Sequence, residues 1–379
     1  MHFEKIKNIK YIGQIPTLDI EVDNEQHEFY ANNIVVSNSH SISYALTSYF
    51  SAYQKCHFPT EFYCAWLTFS NEKPEPRQEI YELVIDAKLN KIEVLPPSVK
   101  VCNIDFEILE PRKILFGLRH IKGLGIKSAN TVKKYQKSLQ TWKSFLKSVS
   151  KIKRNIAESL IKSGGCDFYN LPRMQMIKEL YVLYGASQAQ NNAIKPLSPI
   201  ELKYFFQKSD EMQIVDILQL ILDNKICMSR RREIIENKII YLQENMQDSY
   251  KQRAIFEKIY LGLNLSCSIV DDINTGGALQ ENCRTVFHSR PETKFIIYVV
   301  IDKIQNKKTS QKAKKPNQEY CYLLVSDNTG GLNNCVVWPI QYEKHKDLIY
   351  EGSVVALYGY KNIWKGREQL IINTIAEVK

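Results

Sequence analysis

The sequence predicts a multi-domain α+β protein with a short all-β segment, a long helical region and a C-terminal β-barrel. The chain has 379 residues, which is too long for one ordinary domain, and 44% of them are hydrophobic, which is enough for several cores. Residues 10–38 and 285–379 contain short alternating runs typical of β-strands. The region between them has mainly helical periodicity.

The composition excludes several classes of protein. No apolar run is long enough for a transmembrane helix, and the N-terminus has no signal or transit peptide, so we expect a cytoplasmic protein without a membrane partner. The nine cysteines form no Cys-x-x-Cys pair, which argues against a disulfide framework and against a zinc site. We therefore expect reduced cysteines and no metal site in this chain.

The positive charge is concentrated in one segment. Residues 112–165 contain fourteen Lys or Arg residues and one acid, Glu158, so this segment has a net charge of +13, whereas the whole chain has +10. A local excess of this kind is typical of a surface that contacts a phosphate backbone. A polyanion is therefore the favoured partner.

Residues 1–38 form the first predicted unit. Period-2 alternation at residues 18–22 is followed by His27-Glu-Phe, a turn at Asn32-Asn33, and Ile-Val-Val-Ser-Asn before a serine. This ordered set resembles the C-terminal half of split inteins.

The resemblance implies that four residues carry out protein splicing and that no cofactor is needed. Ser39 would be the acceptor nucleophile, since only Ser, Thr or Cys can form the branched ester, and the Asn38 side chain would cyclise and cleave the Asn38-Ser39 bond. His27 would assist by proton transfer, and Asp19 would lie near the acceptor. The family's usual penultimate histidine is Ser37 here.

The same resemblance implies a separate partner chain. The segment starts at Met1 and lacks the family's N-terminal Cys and Thr-x-x-His blocks. We therefore expect splicing in trans with an N-terminal precursor chain.

Two alternatives exist for residues 1–38. In the first, a solvated strand edge is formed by Asp19, Glu21 and Asp23, and His27 is a surface histidine. Asp-Ile-Glu also resembles the first metal-binding motif of proofreading exonucleases in family B polymerases, where carboxylates hold two metals. No further carboxylate motif follows at a suitable place.

Residues 39–110 begin with Ser-His-Ser-Ile-Ser-Tyr-Ala and continue to His-Phe-Pro-Thr-Glu-Phe. This resembles the fingers of bacterial polymerase III alpha subunits. The resemblance implies that Ser39 and His40 lie near the incoming nucleotide, with Lys55 and His57 as further candidates. A purely structural alternative explains the aromatic residues of this region as the core face of helices. These residues are Tyr44, Tyr49, Tyr53 and Phe62.

Residues 111–170 are predicted to bind duplex DNA. Residues 116–126 fit the helix-hairpin-helix pattern, in which glycines allow a tight hairpin whose amides bind a phosphate. Residues 155–165 resemble the paired second element of the polymerase family. The predicted contacts are Lys122, Gly123, Gly125, Lys127, Lys133 and Lys134. A basic solvated face is the alternative.

Residues 171–284 are predicted to be a helical connector. A sliding-clamp partner is expected, and residues 219–222, Gln-Leu-Ile-Leu, partly match a clamp peptide but end before an aspartate. A helix face of the core explains the same four residues.

Residues 285–379 contain five strand-sized runs, the number of an OB fold, and resemble the OB domain of the polymerase family. A lysine-rich loop is predicted to follow single-stranded DNA. Its lysines are Lys303, Lys307, Lys308, Lys312, Lys314 and Lys315. Tyr322 and Trp338 would either stack on bases or belong to the barrel core.

These resemblances imply the C-terminal precursor of a replicative DNA polymerase that joins its N-terminal half by trans-splicing. The joined enzyme would use dNTPs and Mg²⁺, with the metals held by palm carboxylates of the N-terminal half, which are absent from this chain. The alternative is a non-enzymatic DNA-binding module with a degenerate intein remnant.

Overall fold

A computed structural model describes most of the chain. It covers residues 28–31, 34–37, 41–186, 195–208, 212–244, 247–268, 270, 281–311, 316–364 and 367–378. The chain divides into two compact units, Met1–Phe58 and Pro59–Lys379. The multi-domain α+β prediction, with a helical region and a C-terminal five-stranded barrel, is confirmed.

Within its described residues, the first unit contains one hairpin and one helix. Strands β1 (Glu28–Ala31) and β2 (Ile34–Ser37) pair in antiparallel register, with Ala31 opposite Ile34. Helix α1 follows at Ser41–His57 and has Lys55 and His57 in its last turn, where cations favour the helix dipole.

The alternative interpretation placed four aromatic residues in a core face, and this is wrong for the three that lie on α1. Tyr44, Tyr49 and Tyr53 are 70%, 63% and 44% exposed. Helical spacing places side chains on one face, but it does not determine whether another element covers that face. Phe62, in contrast, is partly buried and packs against the core of the second unit.

The second unit begins with helices α2 (Pro59–Phe69) and α3 (Pro76–Leu89). A small sheet follows, formed by β3 (Glu93–Leu95), β4 (Glu107–Glu110) and β5 (Lys113–Leu115). Its order is β3-β5-β4, with β3 parallel and β4 antiparallel to β5. This sheet leads the chain directly into the basic segment.

Among the described residues, eight α-helices form the middle of the second unit. They are α4 (Ile126–Lys134), α5 (Trp142–Ile152), α6 (Arg154–Lys162), α7 (Arg173–Tyr184), α8 (Pro199–Lys208), α9 (Ile214–Asp223), α10 (Arg232–Gln243) and α11 (Tyr250–Leu261). In α5, Phe145, Val149 and Ile152 recur at helical spacing and are fully or nearly fully buried. Thr141 caps α5 by accepting a hydrogen bond from the Ser144 amide.

A buried ion cluster joins α7 to α11. The guanidinium of Arg173 is 1% exposed and contacts carboxylates of both Asp167, at 2.6 Å, and Glu257, at 2.8 Å. A buried charge needs such partners, and removing one of them typically costs about 3–5 kcal/mol. The cluster therefore fixes the helices that lie behind the basic segment.

The barrel follows the short helix α12 (Cys283–Phe287). Its strands are β6 (Lys294–Lys308), β7 (Glu319–Asp327), β8 (Gly330–Val337), β9 (Val354–Trp364) and β10 (Arg367–Glu377), and helix α13 (Pro339–His345) separates β8 from β9. The closed order is β6-β7-β8-β10-β9, with β9 returning to β6 and only β8 and β10 parallel. This is the topology of an OB fold.

Alternation along the strands separates the barrel core from its surface. In β7, Cys321, Leu323 and Val325 are fully buried. Their neighbours Tyr320 and Tyr322 therefore point outward and are only half-buried. The barrel-core interpretation of Tyr322 and of Trp338, which is 41% exposed, is wrong.

The barrel packs closely on α3. A Cβ atom at Gly330 would lie 2.7 Å from the Leu89 side chain, so a larger residue here would force Leu89 to shift. Nearby, the Tyr81 hydroxyl donates to Asp302 of β6 at 2.6 Å. Long-range contacts thus join the helical region and the barrel within the second unit.

Candidate nucleic-acid interface

The glycine-rich hairpin lies between a short 3-10 turn, Leu118–His120, and helix α4. Gly123 has φ +88°, a conformation that favours glycine. The Leu124 amide then donates to the Ile121 carbonyl at 3.0 Å, which closes the turn. The backbone at the predicted phosphate-binding position is thus a tight hairpin.

The first turn of α4 offers open backbone donors. Gly125 is the N-cap residue and has no side chain that could cap the helix. The first amides of any helix have no intrahelical acceptor, so those after Gly125 point out of the helix end. Ile126 is 54% exposed, which leaves this end accessible. Such a helix end can bind a phosphate.

Neighbouring elements hold the hairpin in place. The Lys122 amide donates to the Tyr260 carbonyl of α11 at 2.8 Å. On the other side, a Cβ atom added to Gly123 would lie 3.3 Å from the Ser159 hydroxyl of α6. The hairpin therefore lies close enough to α6 that a side chain at position 123 would crowd Ser159.

A buried histidine supports the 3-10 turn before the hairpin. His120 packs between Phe106 and Phe116, with ring centroids 4.7 and 6.2 Å away. Burial, and next the charge of Arg119, lowers the pKa of His120 to about 4, although Asp105 opposes this shift. His120 is therefore a neutral core residue at pH 7.

Helix α5 is followed directly by α6, which holds most of residues 155–165, the segment that resembled a paired second element. Lys153 connects them with φ +74°, in the left-handed region where glycine is more common. Ala157, Leu160 and Ile161 of α6 are fully buried. The residues that resembled the second element thus pack behind the hairpin.

Two cations of the predicted DNA-binding segment form ion pairs within the chain. Glu158 contacts Arg154 at 3.0 Å and Lys162 at 2.6 Å, and Lys162 also faces the rings of Phe256 and Tyr260. Burial raises the pKa of Glu158, but hydrogen bonds from Lys162 and the neighbouring tyrosine outweigh it, so this pKa is lowered overall. These two cations stabilise the fold and are less available to DNA.

Nine other cations of the segment are exposed to solvent. Among the described residues, none of the nine has a carboxylate within ion-pair distance. They are Arg112, Lys122, Lys127, Lys133, Lys134, Lys137, Lys147, Lys151 and Lys153. Lys122 and Lys127 flank the hairpin, so open amides and exposed charges lie together.

The outer face of the barrel carries an aromatic platform, defined here as Tyr320, Tyr322 and Trp338. The rings of Tyr320 and Trp338 are stacked, with centroids 5.3 Å apart and an angle of 23°. The Lys307 ammonium lies over the Tyr322 ring at 4.7 Å from its centroid. Aromatic faces beside cations suit stacking on unpaired bases.

Tyr320 was not predicted as part of this surface. It could have been found from period 2, because Tyr320 and Tyr322 flank the apolar Cys321. Of the predicted loop lysines, Lys303, Lys307 and Lys308 are exposed on β6. Lys312, Lys314 and Lys315 lie outside the described residues.

The four splicing residues also lie outside the described residues: Asp19, His27, Asn38 and Ser39. The same holds for two nucleotide-site candidates, Ser39 and His40. The other two candidates, Lys55 and His57, are exposed in the last turn of α1. The imidazole of His57 lies against the Tyr53 ring, with centroids 4.2 Å apart.

The partial clamp peptide at residues 219–222 lies inside α9. Ile221 is fully buried and Leu222 is 4% exposed. The Gln219 amide donates to Asp223 within the same helix. The two apolar side chains thus belong to the core and are not offered to a partner.

No group of metal-ligating side chains suitable for an ion occurs among the described residues. In the same part of the chain, no helix is long and apolar enough to cross a bilayer.

Comparison with known proteins gives a partial family match and broader similarities. Residues 91–176 match the model of a helix-hairpin-helix motif. The chain is 26% identical to the DNA polymerase III subunit alpha of Aquifex aeolicus over 86% of this chain and 24% of that protein. For the Bacillus subtilis subunit, identity is 23% over 90% of this chain and 27% of that protein.

Shorter similarities are found as well. The Thermus aquaticus subunit is 32% identical over 36% of this chain and 11% of that protein. A solved structure, the second OB-fold domain of replication protein A from Methanococcus maripaludis, covers 24% of this chain and 87% of its own, with 17% identity and a TM-score of 0.20. The long matches to the Aquifex aeolicus and Bacillus subtilis subunits show that the chain is homologous to the C-terminal region of polymerase III alpha subunits, and it spans about a quarter of the length of each of these two relatives.

Proposed function

We propose that this chain supplies the DNA-binding part of a replicative DNA polymerase of the polymerase III alpha type. The observation that carries the proposal is the extent of the similarity. A match over 86% of the chain necessarily includes parts of both the hairpin region and the barrel. The two surfaces suited to DNA thus belong to one homologous region. We propose that the protein works in the cytoplasm.

In this proposal the hairpin holds duplex DNA without reading its sequence. Amides at the start of α4 bind one phosphate, and Lys122 and Lys127 neutralise phosphates on either side. If six of the nine exposed cations contact phosphates, the logarithm of affinity falls against the logarithm of salt with a slope of roughly −5. This slope measures the size of the duplex contact.

The aromatic platform holds single-stranded template. Bases stack on Tyr320, Tyr322 and Trp338, while Lys303 and Lys307 accompany the phosphates. Each stacked base typically contributes about 1–3 kcal/mol. Binding to single strands should therefore depend more on the aromatic rings, and duplex binding more on salt.

Polymerisation would need the rest of the enzyme. We propose that Ser39, His40, Lys55 and His57 approach the incoming dNTP, and that Mg²⁺ is held by carboxylates of an N-terminal half. The metal would stabilise the charge that develops on the transferred nucleotide. A sliding clamp is a further proposed partner, through a surface other than the buried face of α9.

We further propose that residues 1–38 are removed when the chain is joined to an N-terminal precursor in trans. Asn38 would cyclise and Ser39 would receive the upstream polypeptide, with His27 and Asp19 as the assisting groups. The proposal rests on the ordered sequence motif of this segment. It is independent of the DNA-binding assignment.

Mass spectrometry of the chain co-expressed with its N-terminal precursor tests the joining step. The expected result is a ligated product with a new peptide bond before Ser39. Asn38→Ala and Ser39→Ala variants should not give this product. An intact 379-residue chain beside a folded precursor would refute trans-splicing and leave the DNA-binding proposal standing.

A further inference from the structure

A groove of about 610 Å³ lies between helix α3 and the outer surface of the barrel. The floor of this groove is apolar. Leu83, Val286, Leu332 and Leu370 line it, and each is at most 8% exposed. A space of this size lies within the range of pockets that bury a drug-sized group.

Two aromatic residues stand at the edge of the groove. Trp66 and Phe287 line it, and each is 37% exposed. Partly exposed aromatic residues around an apolar floor are the composition of protein interfaces. The groove therefore has the features of a docking site for an apolar side chain.

Helix α3 places three carboxylates along one side of the groove. Glu79, Glu82 and Asp86 follow helical spacing and all line it. The indole of Trp66 donates to Glu79 at 2.6 Å, and the Gln78 amide donates to Glu82 at 2.7 Å. Both donors are neutral, so they orient the carboxylates and leave their charge in place.

Asp86 accepts a hydrogen bond from another neutral donor. The Tyr63 hydroxyl lies 2.6 Å from Asp86 Oδ2. Burial, and next the bond to Asp86, raises the pKa of the Tyr63 phenol far above its ordinary value, so Tyr63 remains the donor at physiological pH. Among the described residues, Glu79 and Glu82 have no Lys or Arg within ion-pair distance.

One cation, Lys361, is found among the described residues that line the groove. Lys361 is 3% exposed, and its ammonium donates to the Phe287 and Ser289 carbonyls at 2.6 and 3.0 Å. It also pairs with Glu368 at 3.0 Å. Its charge is thus satisfied within the chain, and it does not balance the carboxylates of Glu79 and Glu82.

We propose that this groove docks a segment of a partner protein in which an apolar side chain is flanked by Lys or Arg. The apolar side chain would fill the floor, and the cations would meet Glu79 and Glu82. The uncompensated carboxylates of Glu79 and Glu82 repel nucleic acid, which disfavours DNA at this part of an otherwise basic chain with net charge +10. The inference is independent of the proposed polymerase role.

Selection from a randomised peptide library displayed on phage tests this site. The full chain is the target, and excess duplex DNA is kept present to occupy the basic surface. We expect enriched peptides that combine Leu or an aromatic residue with flanking Lys or Arg. Their affinity for a Glu79→Gln, Glu82→Gln double variant should be about tenfold lower, since two rim charge pairs are lost.

Glu343→Gln is the matched control, because this exposed glutamate lies on α13 away from the groove lining. Its peptide affinity should equal that of the wild type. Unchanged duplex affinity of the double variant would show that it is folded. Peptides that bind the double variant and the wild type equally, enriched peptides without basic residues, or no enrichment at all would each overturn the proposal.

Discussion

The conformation of Gly123 gives a direct test of the hairpin. Its φ of +88° lies in the left-handed region, where a residue with a Cβ atom is destabilised by about 1–2 kcal/mol. The added Cβ of Gly123→Ala would also lie 3.3 Å from the Ser159 hydroxyl. We expect the free energy of unfolding to fall by about that amount.

Relief of this strain would move the hairpin and the amides that start α4. Loss of one amide hydrogen bond to a phosphate corresponds to about 1.5 kcal/mol, so duplex affinity should fall by about tenfold. Gly352→Ala is a matched control, because Gly352 has φ +90° with open space around its Cβ position. It should lose similar stability and keep the affinity of the wild type.

Fluorescence anisotropy with labelled duplex DNA measures the affinity, and urea denaturation measures the free energy of unfolding. Both are made at the same salt concentration, since salt changes the affinity strongly. A Gly123→Ala variant that is less stable but binds duplex DNA as tightly as the wild type would refute a role of the hairpin amides.

Three further predictions concern charge, stacking and pH. Lys127→Gln should make the salt slope of duplex binding shallower by about 0.9, and Lys203→Gln on α8 should leave it unchanged; equal slopes would contradict the contact. Trp338→Ala should weaken single-strand binding by about 1–3 kcal/mol, whereas Ile340→Ala, which changes a 74% exposed side chain, should not; equal effects would contradict stacking. Because burial lowers the pKa of His120 to about 4, the unfolded chain binds a proton at higher pH than the folded chain. His120 should therefore contribute a fall of about 3 kcal/mol in the free energy of unfolding between pH 6.5 and 4, and His120→Gln should remove this contribution in urea titrations; a variant whose stability falls as steeply as that of the wild type would contradict the assignment.

Local patterns in the sequence predicted much of the barrel. Apolar runs marked all five strands, because alternate residues of a barrel must face its interior. The run at residues 295–301 predicted only half of β6, which extends to Lys308. The missing half is polar and exposed, so it has no hydrophobic signal. Tyr320 and Trp338 meet through the pairing of β7 with the end of β8, which alternation alone does not reveal.

The contacts between distant elements could not be predicted. The close approach of Gly330 to Leu89 and the hydrogen bond from Tyr81 to Asp302 join residues that are far apart in sequence. The groove beside α3 exists only because of this packing. Similarly, the segment with net charge +13 was found by counting, but the pairing of Arg154 and Lys162 with Glu158 required the structure.

Primer extension most directly tests whether this chain becomes the DNA-binding part of a polymerase. The assay compares the chain alone with the chain joined to its N-terminal half, on a primed template with dNTPs and Mg²⁺. We predict extension only by the joined protein, and weaker extension when the joined protein carries Gly123→Ala. Extension by the chain alone, or a joined protein that binds neither primed template nor single strands, would contradict the account.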